Sequence, residues 1–176
     1  MKKDYTSFET IVAEPEASSM IETFRAIGYN LETAVADVVD NSISALAKNV
    51  WIDFNWEGDK TYLTVRDDGS GMNNEELIQA LRPGSKNPLE ERNLKDLGRF
   101  GLGLKTASFS QCRQLTVLSH KQQYNPVFWT WDLDFVNHIG KWKLIKYTPN
   151  DEHFKQLQST SSGTIVIWNQ LDRIVK

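Results

Sequence analysis

Between Lys48 and Val50 the spacing of apolar side chains changes from a helical period to a period of two. Before that boundary Pro15 opens a stripe of Met20, Ile21, Phe24 and Ile27 that Gly28 stops. A second stripe, with Ala34, Val35, Val38, Val39, Ala45 and Leu46 facing a core, runs from an Asn30 cap to about Lys48. Beyond it residues 50–57 and 61–67 alternate as strands, joined at Glu57-Gly58-Asp59-Lys60, where Gly58 or Asp59 takes the strained turn position. Two amphipathic helices followed by strands must lay the helices on a sheet. The expected class is therefore α+β, a two-layer sandwich.

The rest of the chain fits that plan. A short helix over about 74–81 starts at an Asn73 or Asn74 cap, strands are expected near 113–120, 123–132, 141–147 and 163–169, and a further helix near 151–158. Residues 1–14 read as an arm or an edge segment, and no internal repeat is evident. At 176 residues, 40% hydrophobic and 24% charged, the chain suits one soluble domain with its own core. Its single cysteine, Cys112, excludes an internal disulfide and a cysteine metal cluster. No apolar run approaches a membrane span and no leader pattern opens the chain, so a cytoplasmic setting without a membrane partner is expected. A net charge of −3 gives no reason to expect a broad nucleic-acid surface.

From Arg82 to Arg99 large apolar side chains are few, while Pro83, Gly84, Pro88, Gly98 and eight charged residues crowd together. A loop of that length inside a domain argues for function, here a flap. It leads into Gly98-Arg99-Phe100-Gly101-Leu102-Gly103-Leu104-Lys105-Thr106, a glycine-punctuated turn running into a helix. Such a turn presents several backbone N–H groups and a lysine to one anion, the signature of a phosphate site. It is neither common phosphate loop. A Walker loop needs glycine where Leu104 precedes Lys105, and the dinucleotide fingerprint runs Gly-x-Gly-x-x-Gly, the reverse of Gly98, Gly101 and Gly103.

Three other segments could share the same ligand. Asp37 and Asn41 lie one helical turn apart, a pairing suited to a hydrated Mg²⁺ and equally to a solvent-facing polar stripe. Asp67-Asp68-Gly69-Ser70-Gly71-Met72 ends a strand. A carboxylate there can accept from an exocyclic amine while the glycines admit a flat ring, though a tight structural turn reads equally well. Calcium fits less, since the twelve-residue ligand series is missing. Gly163-Thr164 at a later strand start places a hydroxyl that could orient a water or a carboxylate near the phosphate end.

In this order and company the segments resemble the GHKL superfamily: the ATPases of DNA gyrase, heat-shock chaperones, histidine kinases and mismatch-repair MutL, which share the Bergerat fold. The likeness runs from Ala34 to Asp172. It implies a mixed, mainly antiparallel sheet covered on one face by helices. Asp67-Asp68-Gly69-Ser70-Gly71-Met72 looks like the family's Asp-x-Gly-x-Gly motif, which gives Asp67 the adenine amine and puts Gly69, Gly71 and Met72 against the ring. Asp40-Asn41-Ser42-Ile43-Ser44-Ala45 looks like the Asp-Asn-Ser-x-x-Ala box, whose asparagine, here Asn41, reaches Mg²⁺. Gly98 through Gly103 with Arg99, Phe100, Gly101 and Leu102 resembles the second glycine motif, which closes an ATP lid of about residues 82–100 around the phosphates; Lys105 follows it. Ser85-Lys86 resembles the lid's Ser-Lys element, and Thr164 the family's last threonine. The Gly-Arg-Phe-Gly-x-Gly-x-Lys form is most similar to MORC-like and related bacterial ATPases.

Hydrolysing members carry a glutamate four residues before the asparagine, where this chain has Asp37, one methylene shorter. The resemblance thus implies Mg²⁺-dependent ATP binding, with Asp37 and Lys105 as the catalytic pair and slow turnover to ADP. The alternatives are an ATP-gated conformational or dimerisation module without useful turnover, and a non-enzymatic interaction domain using the late cluster of Trp129, Trp131, Trp142 and Trp168. A histidine-kinase role fits poorly, because His120, His138 and His153 all follow the nucleotide motifs. Since many members join the lid to a following transducer domain, the chain is expected to be part of a longer protein. An ATP-dependent homodimer and a DNA-linked role follow by analogy alone.

Overall fold

The computed structural model describes residues 6, 8–84, 103–147 and 151–174. Helices α1 (Ala17–Arg25) and α2 (Leu31–Ser44) come first, then β1 (Val50–Asn55), β2 (Tyr62–Asp67), α3 (Asn74–Leu81), α4 (Gly103–Gln111), β3 (Gln114–His120), β4 (Val127–Asp132), α5 (Leu133–Ile139), α6 (Asp151–Gln158) and β5 (Gly163–Asn169). The strands form one sheet in the order β1-β2-β5-β3-β4, and each pairing is antiparallel. The last strand in sequence thus sits at the centre, between β2 and β3. This brings Thr164 opposite both Asp67 and Ser119.

Strand alternation divides the core. Leu63, Val65, Leu115, Val117, Val166, Trp168 and Trp131 face a layer built mainly from α1, α2, α3, α4 and α5. Leu118, Ile165 and Ile167 face the other way, where α6 supplies Leu157 and Phe154. The expected sandwich is present, with the addition that one short helix covers part of the second face. The late tryptophans belong mostly to this packing. Trp168 is fully buried with its indole N–H donating to Ser108 Oγ at 2.8 Å, and Trp131 donates to the Leu81 carbonyl at 3.0 Å. The exposed aromatics are instead Phe8, Tyr124, Tyr147 and a group of three, Trp51, Phe54 and Trp56, on and just after the edge strand β1.

Several boundaries differ from the expectation for local reasons. Helix α2 stops at Ser44, and Leu46 is 73% exposed with φ of +61°. There the backbone turns to serve a loop: Ser70 N–H donates to the Ala45 carbonyl at 2.9 Å, and Asp68 captures the N–H groups of Lys48 and Asn49. Ile27 lies past the end of α1 and is exposed. The 57–60 connection does carry its positive φ at Gly58. Helix α3 begins with a full capping box between Asn73 and Glu76. Strand β4 starts only at Val127, after Pro126, which has no N–H for a ladder. Residues 141–147 do not form a strand but one bridge, Thr130 to Ile145. The chain has by then been carried off the sheet edge by α5, a helix the sequence reading overlooked, capped by Asp132 on Phe135 N–H and closed by Gly140 in the left-handed region. Residues 8–14 are exposed and pair with no strand, an arm rather than an edge.

One buried cation ties the helical layer together. Arg25 at the end of α1 is 3% exposed and donates through Nη1 to the carbonyls of Phe109 (2.7 Å) and Cys112 (3.0 Å), and through Nη2 to Asp172 (2.5 Å). It therefore caps the C-terminal end of α4 and neutralises the carboxylate that follows β5. Arg25→Met keeps much of the apolar stem but leaves these acceptors unpaired. Urea titration is expected to show a loss of about 3 kcal/mol with an unchanged slope, the lower end of the range for breaking a buried pair because Asp172 stays partly in water.

Candidate nucleotide site

The site grows from the end of β2. Asp67 shares the inward face with Leu63 and Val65 and is 7% exposed, yet its side chain meets donors on three sides. Ser42 Oγ of α2 donates to Oδ2 at 2.8 Å, Gly69 N–H donates to Oδ1 at 2.9 Å, and the Thr164 backbone also bonds the carboxylate. Burial pushes the Asp67 pKa above its ordinary 3.8; the donors at Gly69, Ser42 and Thr164 oppose that rise, and the neighbouring charge of Asp68 adds to it. A carboxylate offers about four lone-pair directions. Three are taken, so one donor from outside can still be accepted.

Asp68 points the other way and does a different task. It accepts from the N–H groups of Lys48 (2.7 Å) and Asn49 (2.9 Å) and from Asn49 Nδ2 (2.8 Å), bonds that hold its pKa down. The adjacent carboxylates thus separate into one that shapes a loop and one turned to the site. The loop can turn so tightly because Gly71 has φ of +62°, where a Cβ would lie 1.8 Å from the His120 carbonyl oxygen. Gly163 is as restricted: its φ is +145° and a Cβ would stand 2.3 Å from the Asp67 carbonyl oxygen. Between them sits Ser119 Oγ, which accepts from Met72 N–H at 2.8 Å and lies 3.0 Å from Thr164 Oγ1. Asp67, Gly69, Gly71, Met72 and Thr164 are therefore gathered into one floor. Thr164 stands at the Asp67 end of it, paired with Asp67 across β2 and β5.

A second cluster forms where α2 meets α4. An added Cβ at Gly103, the first residue of α4, would stand 3.8 Å from Asp37 Oδ2. The Asp37 carboxylate thus lies beside a helix N-terminus, where N–H groups converge and anions are favoured. Tyr29 hydrogen-bonds Asp37 and Thr106 in turn; burial first, then the Asp37 bond, raises the pKa of the phenol. One turn along α2, exposed Asn41 donates through Nδ2 to the Asp37 carbonyl at 2.8 Å, which leaves Oδ1 as the oxygen donor. An amide oxygen beside a carboxylate fits a cation that keeps water and shares phosphate oxygens, as Mg²⁺ does.

Lys105 is 1% exposed, and its Nζ donates to the Ala80 carbonyl at 2.8 Å. It links the first turn of α4 to the last turn of α3, the two points between which residues 82–102 run. Ser85, Lys86, Gly98, Arg99, Phe100, Gly101 and Leu102, with most of the expected lid, lie outside the described residues. Ser119, Tyr29 and Thr106 were not singled out as site residues from sequence. Ser119 sits in an ordinary alternating strand and Tyr29 precedes a cap, so neither carries a local signal.

Residues 29–164 match the family described as histidine kinase-, DNA gyrase B-, and HSP90-like ATPase. The chain belongs to this family, the GHKL ATPases. As a GHKL domain it has that family's general ATP-binding function and its α+β fold. It is 35% identical over 89 residues to ATPase morc-1 of Caenorhabditis elegans, a stretch covering 51% of this chain and 10% of that protein. It is 34% identical over 120 residues to DNA mismatch repair protein MutL of Dictyoglomus turgidum, and 32% identical over 120 residues to MutL of Dictyoglomus thermophilum, each alignment covering 66% of this chain and 20% of the relative. The GHKL domain thus spans about a tenth to a fifth of these relatives' length. No helix among the described residues is long and apolar enough to cross a membrane.

The loop geometry makes one direct prediction for this GHKL domain. Gly71→Ala must displace either the loop or the end of β3, so a thermal melt is expected to show a loss above about 1 kcal/mol. Titration of the folded variant should show weaker ATP binding. Gly58→Ala, also at positive φ but with nothing within 4 Å of its Cβ, should melt lower and leave ATP binding intact.

Proposed function

We propose that this domain binds ATP with Mg²⁺ and hydrolyses it slowly, coupling lid closure to a partner or to a further domain of a longer protein. The observation that carries the reading is Asp67: a carboxylate 7% exposed, held by three donors, with acceptor capacity left at the strand end. Adenine lies over Gly71 and Met72 and donates a hydrogen bond from its exocyclic amine to Asp67. The triphosphate runs toward the N-terminus of α4, where the N–H groups from Gly101 to Gly103, the Lys105 charge and the lid residues Ser85, Lys86, Gly98, Arg99, Phe100 and Leu102 offset its charge. Asn41 Oδ1 holds Mg²⁺, which when bound neutralises charge on the phosphate oxygens.

Asp37 orients the attacking water and accepts its proton as the bond from γ-phosphorus to the bridging oxygen breaks, releasing ADP and phosphate. Its position beside Gly103 supports this role, and its length limits it. A carboxyl group set back by about 1 Å from the productive position costs on the order of a hundredfold in rate. The Tyr29 bond adds to the effect by holding the carboxylate against α2 and α4. A reading without useful turnover rests on the same shortened side chain, and single-turnover measurement of phosphate release separates the two. The interaction-only reading has less support, because Trp131 and Trp168 are buried. A DNA-linked role draws its support from two relatives named DNA mismatch repair protein MutL, and dimerisation through the arm and lid rests on analogy with the family alone.

Calorimetry and phosphate-release assays test this assignment. Asp67→Asn is expected to weaken ATP binding at least tenfold, the scale of losing a hydrogen bond to a charged group. Asp37→Ala should bind ATP within about twofold of the unaltered domain yet release no phosphate, since its role is in the reaction and not in binding. If Asp67→Asn bound ATP as tightly as before, the adenine assignment would be wrong.

The pH dependence carries two opposite signs. Folding raises the Asp67 pKa, so this group's contribution to stability of the free domain is fully present below its ordinary value near 3.8 and is lost as pH rises through the raised value. ATP requires the ionised acceptor, so affinity is expected to fall as pH is lowered through that same raised value. Paired melts and ATP titrations between pH 4 and 8 should show the two trends running against each other (about one carboxyl titration wide).

A further inference from the structure

The sheet has two edges, β4 and β1, and they are finished differently. Along β4 the backbone of Thr130 bonds that of Ile145 in both directions, and Lys146 Nζ donates to the Phe128 carbonyl at 2.9 Å. Along the outer edge of β1 no backbone bond is made among the described residues. Its sequence, Val50-Trp51-Ile52-Asp53-Phe54-Asn55, runs in unbroken register with β2 and lacks the lysine, proline or bulge that commonly blunts a free edge. Ile52 is 46% exposed, and Trp56, stacked on half-exposed Phe54, follows the strand.

Pairing with β2 decides which backbone groups of β1 face outward. Asp68 N–H donates to the Asn49 carbonyl, and Val50 stands opposite Asp67, so Asn49 and Asp68 form a hydrogen-bonded pair. By alternation Trp51, Asp53 and Asn55 turn their backbone groups toward β2, while Val50, Ile52 and Phe54 turn theirs away. A second copy of β1, added antiparallel, must present its own outward groups to these. A two-fold axis at Ile52 uses all of them, setting Val50 opposite Phe54 and Ile52 opposite itself with about six backbone bonds. An axis at Asp53 would set two carboxylates against each other, and one at Trp51 would carry Phe54 past the end of the second strand.

Charge favours the same register. The Arg66 guanidinium lies 3.8 Å from the centroid of the Trp51 ring, and neither Arg66 nor Asp53 has an ion-pair partner among the described residues. With the axis at Ile52, Asp53 of the second copy stands directly opposite Trp51 and so beside the guanidinium stacked there; symmetry repeats the contact. On the other face, which β1 shares with Leu63 and Val65, Ile52 meets Ile52 and Val50 meets Phe54. We propose that β1 is a homodimer interface, at which two copies of this chain pair β1 with β1 about a two-fold axis at Ile52 and join their sheets into one. The contact uses none of the residues assigned to ATP and forms without nucleotide.

Sedimentation of the whole chain in the absence of nucleotide tests this. A concentration-dependent monomer–dimer equilibrium is expected. Ile52→Lys, which sets two ammonium groups on the axis, should weaken it at least tenfold while the circular dichroism stays that of the folded chain. Asp53→Arg should weaken it similarly by facing Arg66, and Asp53→Arg combined with Arg66→Asp should recover it. Oxidation reads the register: Ile52→Cys should form a covalent dimer with itself, the paired Cα atoms being about 5.5 Å apart, whereas Phe54→Cys should cross-link only when mixed with Val50→Cys. The buried Cys112 does not compete. A chain that stays monomeric at millimolar concentration would overturn the proposal. So would a dimer indifferent to both Ile52→Lys and Asp53→Arg, one that forms only when an ATP analogue is added, or self-cross-linking of Phe54→Cys.

Discussion

A carboxylate taken out of water has to be surrounded by donors, and Asp67 is the place where this requirement organises the domain. Its three donors come from α2, from the loop after β2 and from β5. Meeting them brings the end of a helix, a turn and the central strand to one point. The glycines follow from that convergence: Gly163 lets β5 approach the Asp67 backbone, and Gly71 lets the loop pass over the end of β3. Ser119 and Thr164 then satisfy each other and Met72 beneath the loop. In the reading proposed for this GHKL domain, the group that reads the ligand and a structural keystone are one residue. The same bonds let the carboxylate be desolvated and still be held in one orientation.

The other half of the site is organised around α4. Arg25 and Asp172 secure its C-terminal end, Asp37 lies beside its first residue, and Lys105 binds its first turn to the last turn of α3. Both attachments of the segment between α3 and α4 are thereby joined to each other through one buried ammonium. Whatever that segment does on binding ATP, it acts from fixed ends. Asp172 also lies just past the central strand, so the charge pair that steadies α4 includes the residue through which the chain leaves the sheet.

Much of this was legible in the sequence where a feature is set by neighbours along the chain. The shift in apolar period placed the two helices and the first hairpin, Gly58 took its positive φ, and the Asn30 and Asn73 caps fall where the side-chain chemistry puts them. The Asp67 motif and the Asp37-Asn41 pair were recognisable for the same reason, each being a compact string on one element. What was hidden depends on contacts between distant segments. The early end of α2 is decided by hydrogen bonds to a loop some 20 residues later, with the Lys48 N–H to Asp68 bond as the example. Residues 141–147 alternate well enough for a strand, but α5 leaves them only Thr130 to pair with. Ser119 could not be singled out because its importance comes from the register of β3 on β5, and the position of Thr164 at the Asp67 end follows from β5 being the central strand.

Asp67 is proposed to accept a hydrogen bond from an exocyclic amine, and everything else assigned to the pocket depends on that bond. Inosine triphosphate keeps the phosphates, sugar and ring of ATP but replaces that amine with a carbonyl oxygen, so the comparison leaves the protein untouched. With calorimetry at one pH and one Mg²⁺ concentration, ATP is expected to bind about 10- to 150-fold more tightly than inosine triphosphate, the range for losing a hydrogen bond to a buried charge. Equal affinity for the two nucleotides would contradict it.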